Sequence, residues 1–213
     1  MCIIISTVCN KLYNEPMSPE IIHKKINDIL AVVVIALGLY LVITPLYPEI
    51  SYYIYSLSNN PTNEESIPQR VETINNINTV IYDIPNTLVI PKIGVDSEIF
   101  ESENPAILNQ GLWRRPHTST PPQGSNTVIV AHRFQYTSGP QTFYNLDKLA
   151  IGDTIIAYWD KQKIEYSVTD IRIVNPNEVS IETQTKDTIL TLYTCTPLWT
   201  AQKRLVVTAK PIL

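Results

Sequence analysis

The longest apolar stretch of the chain lies near its N-terminus. Residues 29–48 contain no charged side chain, and His23, Lys24 and Lys25 precede them, whereas no Lys or Arg follows until Arg70. Twenty helical residues rise by about 30 Å, which is the thickness of the apolar core of a bilayer. Because positive charges favour the cytoplasmic side, the pattern predicts a transmembrane anchor with segment 1–28 in the cytoplasm.

A cleaved signal peptide is the alternative for the same stretch. We disfavour it because the apolar run is longer than the core of a typical signal peptide and no Ala-x-Ala site follows. Segment 49–83, which comes next, is rich in Asn, Ser, Thr, Glu and Pro and is predicted to be an extracellular linker or stalk. Apolar residues within it suggest an amphipathic helix around Val71–Val80.

Residues 84–213 show a different pattern, in which short apolar runs alternate with turn-forming residues at regular spacing. This pattern is typical of an all-β barrel or sandwich, and the segment is long enough for one hydrophobic core. Single helical turns are predicted at Asn104–Asn109 and within Thr142–Leu149. The predicted strands are Thr87–Ile90, Val95–Phe100, Gly111–Trp113, Thr127–His132, Thr154–Trp159, Lys163–Val174, Thr188–Cys195 and Gln202–Ala209.

Composition narrows the choice of partners and compartment. The net charge of −4 argues against nucleic acid, which favours a basic surface. The three cysteines are Cys2, Cys9 and Cys195, so the predicted extracellular part holds one thiol and no disulfide framework. A lone thiol there is either buried and inert or retained for its reactivity.

Three predicted strand ends carry side chains that could take part in catalysis. A strand leads into Cys195, an earlier strand leads into His132, and Arg204 opens the last predicted strand. A thiol nucleophile, an imidazole that transfers protons near neutral pH and a permanently charged guanidinium are the parts that acyl transfer requires. Each residue also has an ordinary structural interpretation, as a buried cysteine, a surface histidine and a strand-edge arginine, and it is their ordered combination that favours catalysis.

The sequence Thr191-Leu192-Tyr193-Thr194-Cys195, with Arg204 after it and His132 before it, resembles the signature of the sortases. These are membrane-anchored cysteine transpeptidases of bacterial cell surfaces. The resemblance covers roughly residues 84–213 and implies an eight-stranded sortase-type β-barrel with short helices, here behind one transmembrane helix. It implies that Cys195 forms a thioacyl intermediate with an LPxTG-like sorting signal, that His132 is the general acid and base, and that Arg204 stabilises the oxyanion.

The implied partners are surface proteins with a sorting signal, an amine acceptor on a cell-wall precursor or a pilin, and the membrane. The linker has no Asp-Pro motif and no second apolar span follows the barrel, which favours a class D- or E-like sortase over a pilin-polymerising one. The hydroxyl or the backbone amide of Thr194 is a candidate for oxyanion or substrate binding, with a packing role equally favoured.

Other polar residues near the motif are given lesser roles. His117 lies in a loop and is rejected as the acid, and Lys203 points to the face opposite Arg204 because adjacent strand residues alternate. No cofactor or metal is expected. The scattered acids Glu178, Glu182 and Asp187 make a structural calcium ion conceivable, but a solvated loop is favoured.

Two other functions remain open. A membrane-tethered, non-enzymatic barrel that binds a surface peptide or glycan would retain its function without the Cys195 thiol. Another cell-wall cysteine amidase or peptidase is ranked lower, because those enzymes usually place the cysteine before the histidine, whereas His132 precedes Cys195 here.

Overall fold

The computed structural model describes residues 19–58, 72–74, 80–134 and 139–212. The chain divides into two compact units, Met1–Ser51 and Tyr52–Leu213. Helix α1 spans Pro19–Ser58, and in the described part of the chain one helical stretch, His23–Ser58, is long and apolar enough to cross a membrane. The helix continues beyond the predicted limits of the anchor, and Pro45 and Pro48 lie inside it rather than at its end.

Ten strands are present in the described residues, and eight of them form a closed barrel. The predicted all-β, eight-stranded barrel is therefore confirmed. The strands are β1 (Glu72–Ile74), β2 (Val80–Tyr82), β3 (Thr87–Ile90), β4 (Val95–Glu101), β5 (Leu112–Arg114), β6 (Asn126–Val130), β7 (Thr154–Trp159), β8 (Gln162–Val174), β9 (Ile189–Thr196) and β10 (Lys203–Pro211). Strands β1 and β2 form a separate two-stranded sheet, and the eight barrel strands follow the order β10-β8-β7-β3-β4-β5-β6-β9.

The described part of the segment expected to hold an amphipathic helix forms two paired β-strands instead. Strands β1 and β2 pair antiparallel, with Ile74 opposite Val80, while residues 75–79 lie outside the described part. Four of the six paired residues are Thr, Ile or Val, whose branched side chains favour strands. The helical prediction around Val71–Val80 was wrong because the spacing of its apolar residues fits either element.

The barrel interior is filled by apolar side chains from every strand of the barrel. Leu190 and Leu192 of β9 are fully buried in this core, so the odd-numbered neighbours Tyr193 and Cys195 face the outside of the barrel. Strands β6 and β9 pair in parallel, with Val130 opposite Tyr193. Parallel strands end on the same side of a sheet, so the residues that follow β6 and β9 meet at one rim.

Short 3₁₀ turns complete the barrel and differ in part from the expected helical turns. The turn predicted at Asn104–Asn109 is present as Pro105–Asn109, and the turn predicted within Thr142–Leu149 is reduced to Leu146–Lys148. Two further turns, Pro91–Ile93 and Val179–Glu182, were not predicted.

Candidate active site

Cys195 and Arg204 lie opposite each other on neighbouring strands. Their Cα atoms are partners in the antiparallel pairing of β9 with β10, and directly opposed residues place their side chains on the same face. Both side chains are partly exposed, and Cys195 is a free thiol. The register of the last two strands therefore brings the predicted nucleophile and the predicted guanidinium together on the outer face.

His132 lies at the same rim, in the loop after β6. The predicted strand Thr127–His132 ends earlier, at Val130, so His132 belongs to the loop and not to the strand. Val130 is opposite Tyr193, and His132 and Cys195 are each two residues further along their parallel segments. The sequence placed His132 and Cys195 some 60 residues apart, and the parallel pairing of β6 and β9 brings their segments side by side.

Two hydrogen bonds extend this contact beyond the last paired residues. The Thr194 hydroxyl donates to the carbonyl oxygen of Ala131 across 2.8 Å, and Nη1 of Arg133 donates to Oγ1 of Thr196 across 3.3 Å. His132 is the residue between Ala131 and Arg133, and Cys195 is the residue between the two threonines. Through these side chains, the segments that carry His132 and Cys195 are linked on both sides of each residue.

The His132 ring has a polar neighbour that sequence reasoning missed. Oδ1 of Asn109, the last residue of a 3₁₀ turn, lies 3.3 Å from Nε2 of His132. Burial lowers the pKa of His132 below its ordinary value, so the neutral imidazole is favoured at neutral pH. The sequence predicted the turn that carries Asn109, but a contact between residues 23 positions apart had no local signal.

The Arg204 guanidinium is oriented by its own loop. Its Nη1 donates to the carbonyl oxygens of Lys203 and Ala201, at 3.0 and 3.2 Å. Lys203 points elsewhere, since its ammonium donates to Oδ1 of Asn175 across 2.6 Å. His117 is highly exposed in a separate loop, and its ring lies 3.8 Å from a Glu103 carboxylate oxygen. These contacts agree with the preference for Arg204 over Lys203 and for His132 over His117.

Thr194 is almost fully buried beneath the rim. Because its hydroxyl hydrogen is used by the bond to Ala131, the same hydroxyl cannot donate to an oxyanion at the same time. This geometry favours the packing role among the alternatives predicted for Thr194.

The loop between β8 and β9 is attached to the outer face by Glu182. Its Oε1 accepts from Nε of Arg115 across 2.9 Å and from the Tyr193 hydroxyl across 2.6 Å. Burial raises the pKa of Tyr193, the bond to Glu182 raises it further, and the charge of Arg204 lowers it. Tyr193 therefore stays protonated and donates to Glu182, two residues before Cys195.

The acidic residues that could have bound calcium are engaged with other side chains of the protein. Besides Glu182, Glu178 accepts from the Ser180 hydroxyl, and Asp187 lies 3.3 Å from the Lys210 ammonium. Within the described ranges, no group of three His, Cys, Asp or Glu side chains is arranged to hold a metal ion.

Exposed aromatic side chains flank the rim. Phe134 follows the His132 segment and Trp199 follows Cys195, and their rings meet edge to face with centroids 5.2 Å apart. Both are solvent-exposed, Trp199 at 74%. The sequence predicts no role for either residue, because a contact between two loops leaves no periodic pattern.

Comparison with known proteins identifies the family. The sortase domain family matches residues 88–212, which is more than half of the chain. No curated protein matches the chain. The chain belongs to the sortase family, whose members are cysteine transpeptidases.

Solved structures agree with this assignment. The chain is 30% identical to sortase C1 of GBS Pilus Island 1 over 60% of its length and 64% of that chain, with a TM-score of 0.56. It is 27% identical to the Clostridium perfringens sortase D5 transpeptidase over 61% of its length and 79% of that chain, with a TM-score of 0.54. It is 26% identical to Listeria monocytogenes sortase A over 61% of its length and 88% of that chain, also with a TM-score of 0.54. The chain thus spans less than two thirds of the sortase C1 structure.

Proposed function

We propose that this sortase is a membrane-anchored transpeptidase that cleaves an LPxTG-like sorting signal and transfers the protein to an amine acceptor at the cell surface. One observation carries the proposal. The parallel pairing of β6 and β9 brings the His132 segment beside Cys195, and the register of β10 places Arg204 opposite Cys195. A nucleophile, a proton carrier and a fixed cation then share one rim.

The proposed reaction has two balanced halves. The Cys195 thiolate attacks the carbonyl carbon of the scissile peptide bond, the carbon–nitrogen bond breaks, and the His132 imidazolium gives its proton to the departing amine. The incoming amine then attacks the thioester, neutral His132 takes a proton from that amine, and the carbon–sulfur bond breaks to release Cys195 as the thiolate. Since burial lowers the pKa of His132, the reactive imidazolium is the minority form at neutral pH.

Arg204 is proposed to stabilise the negative oxygen of each tetrahedral intermediate. Its guanidinium keeps its charge throughout and is held by two carbonyl groups of its own loop, so little reorganisation is needed when charge develops. Thr194 supports the reaction from beneath the rim by holding the Ala131 backbone.

The proposed localisation follows from the apolar helix and the charges that flank it. Segment 1–28 is cytoplasmic, 29–48 spans the membrane, and the barrel of 84–213 lies outside on linker 49–83. The partners are surface proteins with a sorting signal and a cell-wall precursor or pilin that supplies the amine. A class D- or E-like specificity remains our preferred subclass.

Mass spectrometry of the intact chain in detergent micelles tests the function. The protein is incubated with LPxTG-like peptides, with and without an amine acceptor, beside Cys195→Ala. We expect a covalent adduct on Cys195 that the amine discharges, and no adduct on the Cys195→Ala variant. Peptide binding that survives in Cys195→Ala, with no adduct on the native chain, would instead indicate a non-enzymatic binding barrel.

A further inference from the structure

Arg133, the residue after His132, connects three separate segments of the barrel. Its Nε donates to the carbonyl oxygen of Tyr144 across 2.9 Å, and its Nη2 lies 2.8 Å from a carboxylate oxygen of Asp147. Its Nη1 donates to the Thr196 hydroxyl across 3.3 Å. Each nitrogen of the guanidinium thus contacts a different residue, and the side chain is only 11% exposed.

These contacts determine where the His132 backbone lies. Thr196 directly follows Cys195 on β9, so the bond from Arg133 ties the residue after His132 to the residue after Cys195. On the other side, Tyr144 and Asp147 belong to the segment that closes the loop after His132. The amide of Phe143 in that segment donates to the His132 carbonyl oxygen across 2.9 Å.

The guanidinium is well suited to this arrangement. It presents its donors in a rigid planar fork, whereas a lysine ammonium offers a point charge on a flexible stem and cannot reach three diverging partners. A buried cation is also costly to leave unpaired, so the three contacts are expected to form together. The ladder between β6 and β9 ends at Val130 and Tyr193, and Arg133 continues the attachment past that point.

We propose that Arg133 is a positioning residue that holds His132 in reach of the Cys195 thiol. This inference rests on the proposed transpeptidase function, because proton transfer requires the imidazole at a fixed distance from the sulfur and the leaving amine. Arg133 touches neither substrate nor thiol in this role. It acts on turnover through His132 and leaves the binding of the sorting peptide unchanged.

Steady-state transpeptidation by the full chain in detergent micelles provides the first test, with an LPxTG-like peptide and an amine acceptor. Misplacing a catalytic group by about 1 Å can cost about 100-fold, so we expect Arg133→Met to lower kcat by about 10- to 100-fold with KM within about twofold. Arg133→Lys is expected to recover little. Arg172→Met is the matched control, because Arg172 is an exposed arginine that also pairs with an aspartate.

Two further variants each alter one contact of Arg133, and they keep the inference testable if the Arg133 variants do not fold. Thr196→Val removes only the link to the Cys195 strand and is expected to lower kcat several-fold. Asp147→Asn weakens a half-exposed ion pair and is expected to change kcat by less than about threefold. Thermal unfolding of every variant shows which remain folded, and the comparison is made among those.

NMR titration of the His132 ring provides a readout that does not need activity. Freeing the loop exposes the imidazole, so its pKa should rise toward the ordinary value in Arg133→Met and Thr196→Val but not in Arg172→Met. If the native chain performs no transpeptidation, the proposed function fails, yet this titration still decides whether Arg133 positions His132. An unchanged kcat and an unchanged titration in folded Arg133→Met and Thr196→Val overturn the inference, as does a rise in KM at constant kcat.

Discussion

The Thr194 hydroxyl donates to the Ala131 carbonyl oxygen across 2.8 Å, and this bond joins the residue before the thiol to the residue before the imidazole. Both residues are buried, Thr194 at 1% and Ala131 at 2% exposure. A threonine at this position of the signature sequence therefore has a clear structural purpose in this chain. Its hydroxyl holds the end of β9 against the segment that follows β6, just beyond the last paired residues of these two strands.

Replacing Thr194 by Val keeps the shape of the side chain and removes the hydroxyl. The buried Ala131 carbonyl then loses a donor, so we expect the free energy of unfolding to fall by about 1–3 kcal/mol. Thr169→Val is the matched control, because the Thr169 hydroxyl also donates to a strand carbonyl, at 3.2 Å, but on the exposed surface. Chemical denaturation measures the free energy of unfolding of both variants. Equal losses would contradict the expectation that the buried hydrogen bond of Thr194 stabilises the fold more than the exposed one of Thr169.

The sequence predicted the barrel well where turns are local and poorly where contacts are distant. Strands β3 and β7 were predicted to the residue, because Pro91 follows the first and Gly152-Asp153 precedes the second. The end of β6 was misplaced by two residues, since Ala131 and His132 continue the strand-like pattern. The three residues proposed for catalysis could be identified from their order along the chain. The roles of Asn109 and Arg133, which contact the His132 ring and the Cys195 strand, could not be predicted, because these contacts join distant positions; Arg133 and Thr196, for example, lie 63 positions apart.

The lowered pKa of His132 makes stability depend on pH. The unfolded chain binds a proton at His132 near pH 6.5, whereas the folded chain binds it only at lower pH. The unfolded state therefore holds more protons within that window, so stability is fully present above pH 6.5 and is lost as pH falls through the folded pKa. Urea unfolding at several pH values should show this trend, and His132→Gln should show a weaker one.

Asn109 offers a way to shift the imidazole in the opposite direction. In Asn109→Asp a carboxylate would replace the amide oxygen 3.3 Å from Nε2 of His132. A nearby negative charge favours the imidazolium, so we expect the pKa of His132 to rise in this variant. NMR titration of the His132 ring measures it, with Asn175→Asp, which faces Lys203, as the control. No rise in Asn109→Asp would show that the two side chains do not interact in solution.

Arg204→Lys tests the proposed oxyanion contact while keeping the positive charge. Removing a preorganised oxyanion donor typically costs about 100-fold or more in kcat, and an ammonium lacks the two carbonyl contacts that orient the guanidinium. We therefore expect kcat for transpeptidation to fall by about 100-fold. Lys203→Met serves as the control, because Lys203 faces Asn175 and should change kcat by less than about twofold. Full activity of Arg204→Lys would exclude the guanidinium clamp.

Glu182 is expected to keep the β8–β9 loop closed against the outer face of the barrel. Its Oε1 accepts from Arg115 and from Tyr193, so Glu182→Gln removes the carboxylate charge that strengthens both bonds. The loop should loosen locally without loss of the fold, because Asn126 separately donates to the carbonyl oxygens of Ile181 and Thr183.

Hydrogen exchange measures this loosening directly. The Thr183 amide donates to the Ser180 carbonyl oxygen across 3.2 Å inside the loop, and its exchange should accelerate about tenfold in Glu182→Gln, corresponding to about 1.4 kcal/mol of local stability. Glu178→Gln is the control on the same loop, since the Glu178 carboxylate contacts only the neighbouring Ser180 hydroxyl among the bonds of described residues. Equal exchange in both variants would mean that the attachment through Glu182 does not hold the loop.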